Sequence, residues 1–248
     1  MKVTDRGSVV EALVAAQSSC SVVDLSHTLE ERMPVWPALS KYYHSLWYSI
    51  HLGDAATSYL LTLSEHTGTH VDAPGHFMPP GHPQHRWVDE VPPETWMGRA
   101  AIIDCRDAAP QSAVSPQTVL QWEAEHGAVR AGDIVVFNFG WHEKWATRPH
   151  DMDFMTNWPG LGVPCAELLV ERGVKAVGVD TLSPDVYGTP GDPIHRTLLG
   201  KGVVIIENLA NLNVLPAVCY LIALPLKIKE GTGSPIRAVA LVPSPASP

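Results

Sequence analysis

The sequence predicts a mixed α/β fold, strand-rich with a few helices. Short apolar runs of strand length recur along the chain, interspersed with capped segments of helix length. Their order is too irregular for a TIM barrel or a Rossmann fold. The 22 prolines impose many fixed turns and short elements. At 248 residues the chain is long enough to bury a real core, and we take it as one domain, 1–248.

Val9 to Gln17 reads as a short amphipathic helix and Ser21 to Leu25 as a strand. Tyr42 to Leu52 and Tyr59 to Glu65 are strand candidates rich in aromatic and aliphatic residues. Ala100 to Cys105 suits a buried strand. Ser115-Pro116 opens a helix as N-cap and N1, which Gly127 closes. Asp133 to Phe139 is a strongly apolar strand. Pro164 to Arg172 is a helix ended by Gly173, with a strand at Val174 to Val179. Val203 to Ile206, Cys219 to Leu224 and Ile236 to Val242 complete the strands, and the Pro/Ser/Ala tail is expected to fray. Two long connections, Met78 to Val91 and Trp141 to Val163, have the length of functional or mobile loops. The second carries Trp145, Met152, Phe154, Met155 and Trp158, which either line a pocket or anchor the loop on the core.

An apolar share of 45% with 17% charged residues reads as soluble and globular. No apolar run spans a bilayer, and Lys2, Asp5, Arg6 and Glu11 do not make a signal peptide, so we expect a cytoplasmic protein. A net charge of −9 argues against a nucleic-acid partner. Cys20, Cys105, Cys165 and Cys219 are scattered, which fits reduced thiols better than a disulfide framework or a Cys-rich zinc site.

The chemistry concentrates in Ser64 to Phe77, where His66, His70, Asp72 and His76 fall within eleven residues. These side chains bind divalent metals and move protons near neutral pH. All four have even numbers, so an extended chain would aim them at one face. Gly68, Pro74 and Gly75 disfavour a helix. The expectation is a strand running into a tight turn that folds His76 back. The other histidines read singly as surface or satisfied core residues. A second segment, Asp192 to Gly200, reads as a short helix with Asp192 as N-cap, Pro193 at N1 and His195 in its first turn. The apolar strand after it ends in Glu207, a carboxylate that needs a partner if buried. These residues alone leave the metal and the reaction open.

The run His66-x-Gly68-Thr69-His70-x-Asp72-x-Pro74-x-His76-Phe77 resembles the signature of the metal-dependent cyclase family, which includes bacterial kynurenine formamidase, isatin hydrolase and a dienelactone hydrolase. Asp24-Leu25-Ser26-His27 with Met33-Pro34-Val35-Trp36-Pro37, Gly178 to Asp185, and the His195 to Glu207 spacing extend the resemblance over most of the chain. It implies a swivelling β/β/α fold and a homo-oligomer (dimer or tetramer). By the same resemblance His66, His70 and Asp72 bind a first metal. Asp72 and Glu207 bridge to a second, which His195 also binds. His76 is the general acid/base and Trp36 contacts substrate. Zn2+ or Mn2+, one or two per chain, fits a nitrogen and oxygen donor set without thiolate.

The expected function is hydrolysis of a small-molecule amide or cyclic amide, arylformamide-like or isatin-like, by metal-bound hydroxide with His76 shuttling the proton. Substrate choice is expected in the Trp141 to Val163 loop. Lactone hydrolysis, or ring closure in natural-product metabolism, would use the same site. A non-haem iron oxygenase would need only His70, Asp72 and His195, leaving His66, His76 and Glu207 surplus. A non-catalytic metal-binding protein would have no use for His76.

Overall fold

The computed structural model describes residues 6–244; the expected fraying of the last residues of the tail lies outside them. In chain order the elements are α1 (Arg6–Ser18), β1 (Cys20–Asp24), β2 (Tyr43–Tyr48), β3 (Ser58–Thr62), β4 (His70–Asp72), β5 (Met97–Asp104), β6 (Ala113–Val114), α2 (Pro116–His126), β7 (Ile134–Asn138), α3 (Met152–Met155), β8 (Gly160–Leu161), α4 (Val163–Arg172), β9 (Ala176–Val179), α5 (Pro193–Leu199), β10 (Val204–Glu207), β11 (Val218–Ile222), β12 (Gly233–Pro235) and β13 (Val239–Pro243). Nine strands form one sheet in the order β1-β13-β11-β5-β7-β9-β10-β4-β12. Its centre, β5-β7-β9-β10, is parallel, and the flanking pairs are antiparallel.

The central strands are continuous apolar runs because both of their faces are covered. Alternate side chains divide between two cores. Ala101, Ile103, Val135, Phe137, Val177, Val179 and Ile205 pack with residues of α2, α4 and α5. Ala100, Ile102, Ile134, Val136, Ala176, Val204 and Ile206 face the other way, where they meet Val71 of β4 and Leu221, Ala240 and Val242 of β11 and β13. Strands from both ends of the sheet share that second core, so the sheet curls over itself on one face and carries helices on the other. This is the mixed α/β architecture expected. Each fully buried Val, Leu, Ile or Phe contributes ~1.5–3 kcal/mol to holding it.

Several local expectations change. Tyr42 to Leu52 is strand only to Tyr48, then a 3-10 turn closed by Gly53, and β2 pairs only with β3, apart from the main sheet. Ser115 precedes α2 but makes no side-chain cap. Gly173, at φ 73°, does end α4. β12 was not foreseen; it is short and pairs with β4 at the edge of the sheet. The four cysteines are free, and burial pushes the thiols of Cys105, Cys165 and Cys219 up to about 12.

The Trp141 to Val163 connection contains α3 and β8 and is anchored, not splayed. Phe154 and Trp158 are buried, and the indoles of Trp141 and Trp158 donate to the carbonyls of Phe154 and Asp185. Asp180, at the end of β9, accepts the backbone N–H groups of Phe139, Trp141 and His142 and the Nδ1 of His142. Trp145 lies flat on the His27 ring at 3.9 Å and 9°. Met78 to Val91 is likewise pinned, with Val88 N–H donating to Gly231 O and His85 Nδ1 to Met78 O.

The His27 contact has a consequence for pH. Burial, and then the neighbouring His142, lower the His27 pKa to about 3. Between the ordinary histidine value of ~6.5 and 3 the unfolded chain binds a proton that the folded one refuses, so stability falls as pH falls, by at most ~1.4 kcal/mol per pH unit. His27→Gln should flatten that slope relative to wild type in urea unfolding measured from pH 7 to 4. Parallel profiles would mean that His27 does not carry the acid sensitivity.

Candidate functional site

Four segments build the site, beginning with the two adjacent strands β4 and β10. They pair antiparallel, with His70 opposite Glu207 and Asp72 opposite Ile205. Val71 enters the core inside the curl, so His70, Asp72 and Glu207 share the other face, toward α5 and His195. The expected single strand is a correction: β4 spans only His70–Asp72, because the turn at Gly68 (φ 62°) breaks the chain before it. His66 lies ahead of that turn. Pro74–His76 forms a 3-10 turn that returns the His76 ring onto His66, stacked at 3.9 Å. Gly233 of β12 leaves room for His66, whose Cε1 would lie 2.6 Å from any Cβ there.

A further correction concerns α5. Asp192 does not cap the helix; it sits at φ 48° and its carboxylate makes no cap hydrogen bond. Asp185 does the work from a distant turn, accepting the N–H groups of Ile194 and His195 and, at 2.6 Å, His195 Nδ1. Only a position that folding brings back could offer a carboxylate to both helix and ring, so spacing along the chain gave no signal.

Hydrogen-bond accounting shows which nitrogen each histidine presents. His70 Nδ1 donates to the Gly68 carbonyl at 2.8 Å, leaving Nε2 facing Glu207 Oε2 at 3.2 Å and Asp72 Oδ1 at 3.6 Å. His195 Nδ1 donates to Asp185, leaving Nε2 3.1 Å from Glu207 Oε1 and 3.4 Å from Asp72 Oδ2. The Thr232 hydroxyl donates to Glu65 at 2.7 Å, so it accepts from His66 Nε2 at 2.9 Å. The remaining His66 Nδ1 then meets Asp72 Oδ1 at 2.6 Å, lone pair against lone pair unless positive charge joins them.

Asp72 and Glu207 are both buried, and Glu207 Oε1 finds no hydrogen-bond donor. Burial raises the Asp72 pKa, but the charge of His66 and the hydrogen bond from His195 outweigh it, and the carboxyl stays well below its usual range. Burial lowers His70, yet the Glu207 hydrogen bond and the Asp72 charge carry it up to about 8. His195 rises well above its usual value against the same desolvation, chiefly through Asp185 and then Asp72. The cluster calls for positive charge, which protons on the imidazoles or a bound cation can supply. Its unprotonated nitrogens and carboxylate oxygens are a donor set that suits a divalent ion.

The donor atoms fall into two groups joined by Asp72: His66, Asp72 and His76, and His70, Asp72 and Glu207, each set within 4.8 Å. His66 and His70, expected to share a metal with Asp72, both face Asp72 Oδ1, at 2.6 and 3.6 Å. His195 abuts the second group. All these residues line one cavity of about 260 Å3, walled on its apolar side by Trp36, Leu39, Phe77 and Leu182. Phe77 stacks on His195, and Trp36 leans on Trp158. No residue of the Trp141 to Val163 loop lines the cavity, although substrate choice was expected there.

Comparison with known proteins gives a consistent set of likenesses. Residues 23–186 match a family model described as putative cyclase. A kynurenine formamidase of Salinibacter ruber is 33% identical over 225 residues, 88% of this chain and 96% of the relative. An isatin hydrolase of Roseibium aggregatum is 33% identical over 201 residues, 74% of each chain. Among solved structures, isatin hydrolase A from Labrenzia aggregata bound to benzyl benzoate superposes with a TM-score of 0.86 at 32% identity, covering 96% of this chain and all of that one.

Metal removal should register in stability, because an ion that binds only the folded cluster adds RT ln(1 + [L]/Kd), ~2.7 kcal/mol at a hundredfold excess over Kd. Dialysis against a chelator should lower Tm, and Zn2+ or Mn2+ should restore it. A Tm indifferent to both would mean that the cluster holds no ion.

Proposed function

The chain belongs to the cyclase family, and on that premise we propose that it is a metal-dependent hydrolase that opens an amide or cyclic amide, an arylformamide-like or isatin-like small molecule. The observation that carries this reading is the close-set cluster His66, His70, Asp72, His195 and Glu207 lining a largely apolar cavity, with His76 stacked beside it. A cation triad of two histidines and one carboxylate would leave three of these groups unused. We assign those five residues as ligands of one or two ions of Zn2+ or Mn2+. When bound, such an ion supplies a Lewis acid that polarises the substrate carbonyl and acidifies water toward a pKa of ~7.

His76 takes the general acid/base role. It is mounted on a turn at the cavity rim instead of on a strand, and burial leaves its pKa lowered against the opposing charge of Asp72. A largely neutral imidazole can accept a proton from water and return it to the leaving nitrogen. Trp36 and Phe77 present aromatic surface to a flat substrate. A cavity of about 260 Å3 suits one or two fused rings rather than a peptide.

The direct test combines elemental analysis of protein purified without added metal with hydrolysis of N-formylkynurenine, isatin and a dienelactone. Zinc or manganese with formamide or lactam opening is expected. Lactone turnover with inert amides would move the reaction to ester chemistry, and iron with oxygen-dependent turnover would replace hydrolysis altogether. His76→Ala should retain the metal and lose ~10²–10⁴ of kcat. Unchanged kcat would remove His76 from the proton path.

We also propose that the chain works as a homo-oligomer, a dimer or tetramer. The β2–β3 ribbon stands apart from the main sheet and, with the 3-10 turn that joins its strands, exposes large apolar side chains, Trp47 at 71% and Leu52 at 76% exposure. A two-stranded ribbon is marginal alone, and an apolar patch of this kind calls for cover. Light scattering should give a multiple of the 26.9 kDa chain mass, and the double variant Trp47→Glu, Leu52→Glu should reduce it. A wild-type monomer at micromolar concentration would refute this.

A further inference from the structure

Asn208 follows Glu207 directly, at the end of β10, and has no part in the roles assigned above. It is buried and stands at φ 56°, in the left-handed region where a glycine would sit without strain. Its side-chain oxygen is buried with no partner. A residue kept in a strained conformation with an unsatisfied acceptor is a poor choice for folding alone, and such positions gather where a ligand is gripped.

Its amide nitrogen shows what it is for. Asn208 Nδ2 donates to the Gly68 carbonyl at 2.9 Å, the same oxygen that accepts from His70 Nδ1 at 2.8 Å. Gly68 precedes β4, so no strand pairing holds that carbonyl. Asn208 also grips the next residue: its own carbonyl accepts from the Thr69 hydroxyl at 2.6 Å, and that hydroxyl in turn accepts the His27 N–H at 3.0 Å. Its N–H donates to Thr181 O at 3.1 Å, tying it to the turn after β9. The two residues that precede His70 are thus both clamped by the residue that follows Glu207.

Given the divalent-cation reading of the cluster, on which this rests, we propose that Asn208 is a positioning residue that fixes the Gly68 carbonyl, holds the His70 proton on Nδ1, and so keeps His70 Nε2 free as a metal ligand opposite Glu207. A carbonyl free to turn would let the His70 ring rotate or carry its proton on Nε2, where it could no longer coordinate. One short segment then sets both sides of the His70–Glu207 pair, the first through a hydrogen bond and the second through the chain itself.

Two variants test this. Asn208→Gly accepts the backbone angle and deletes the amide. Asn208→Asp keeps the size and tolerates the angle but turns the donor into an acceptor; its extra negative charge would by itself favour a cation, so weaker binding points to the lost donor. Affinity for Zn2+ and for Mn2+ is read by competition with a chromophoric chelator, beside the Tm of the metal-free proteins. Both variants are expected to bind about 10–100-fold more weakly than wild type, with metal-free Tm values close to wild type. Wild-type affinity in both variants overturns the inference, as does a fall in metal-free Tm with affinity unchanged, which would make Asn208 structural. A wild-type protein that binds neither ion overturns the cation reading itself, and the inference with it.

Discussion

Two buried carboxylates govern this structure. Asp72 and Glu207 lie on neighbouring strands with their oxygens turned to a shared space, and among the described residues no lysine or arginine pairs with them. Isolated charges of that kind are expensive to bury, and are tolerated only with opposite charge or a metal beside them. Every other polar feature nearby answers that demand. Three imidazoles supply nitrogens, and each is turned by a group behind it: Gly68 O for His70, Asp185 for His195, and Thr232 backed by Glu65 for His66. Outer partners of this type fix which ring nitrogen is available and stiffen the ligand.

The curl of the sheet makes the arrangement possible. β4 enters as an antiparallel edge beside the last parallel strand, β10, and is covered in turn by β12. Antiparallel pairing sets His70 and Glu207 directly opposite each other, where side chains stand closest. The parallel centre delivers Glu207 at the carboxyl end of its strand, the customary place for a binding crevice in such sheets. Apolar residues on the far face of the same short strands fill the core inside the curl, so one two-residue alternation builds both the stable half and the reactive half.

Much of this was legible along the chain because it is local. The His66 to His76 run, the apolar strands and the helix after Pro193 announce themselves by spacing, and the motif resemblance located the cluster before any contact was known. What escaped depends on residues far apart. Asp185 caps a helix that begins eight positions later, displacing the nearer Asp192, whose left-handed backbone does not support a cap. Thr232 reaches His66 from the other end of the chain. Asn208 and Glu65 carry no motif and act only through carbonyls and hydroxyls that folding brings to them. The aromatic residues of the long Trp141 to Val163 segment left pocket lining and anchoring both open; they anchor, and the attachment rests on Asp180 and His27, which nothing in the segment's own composition reveals.

The contribution of the late chain to the early one orders events in time. His66 and Glu65 are made 166 and 167 residues before Thr232, their partner in the fold, which the covering strand β12 follows. Until residue 235 has left the ribosome, β4 has an open edge and His66 has no backing. The outermost pair of the sheet, β1 with β13, closes later still. A chain cut short before β12 therefore carries all the donor residues and lacks part of the frame that aims them. The reactive centre thus reports whether the chain has been made as far as β12.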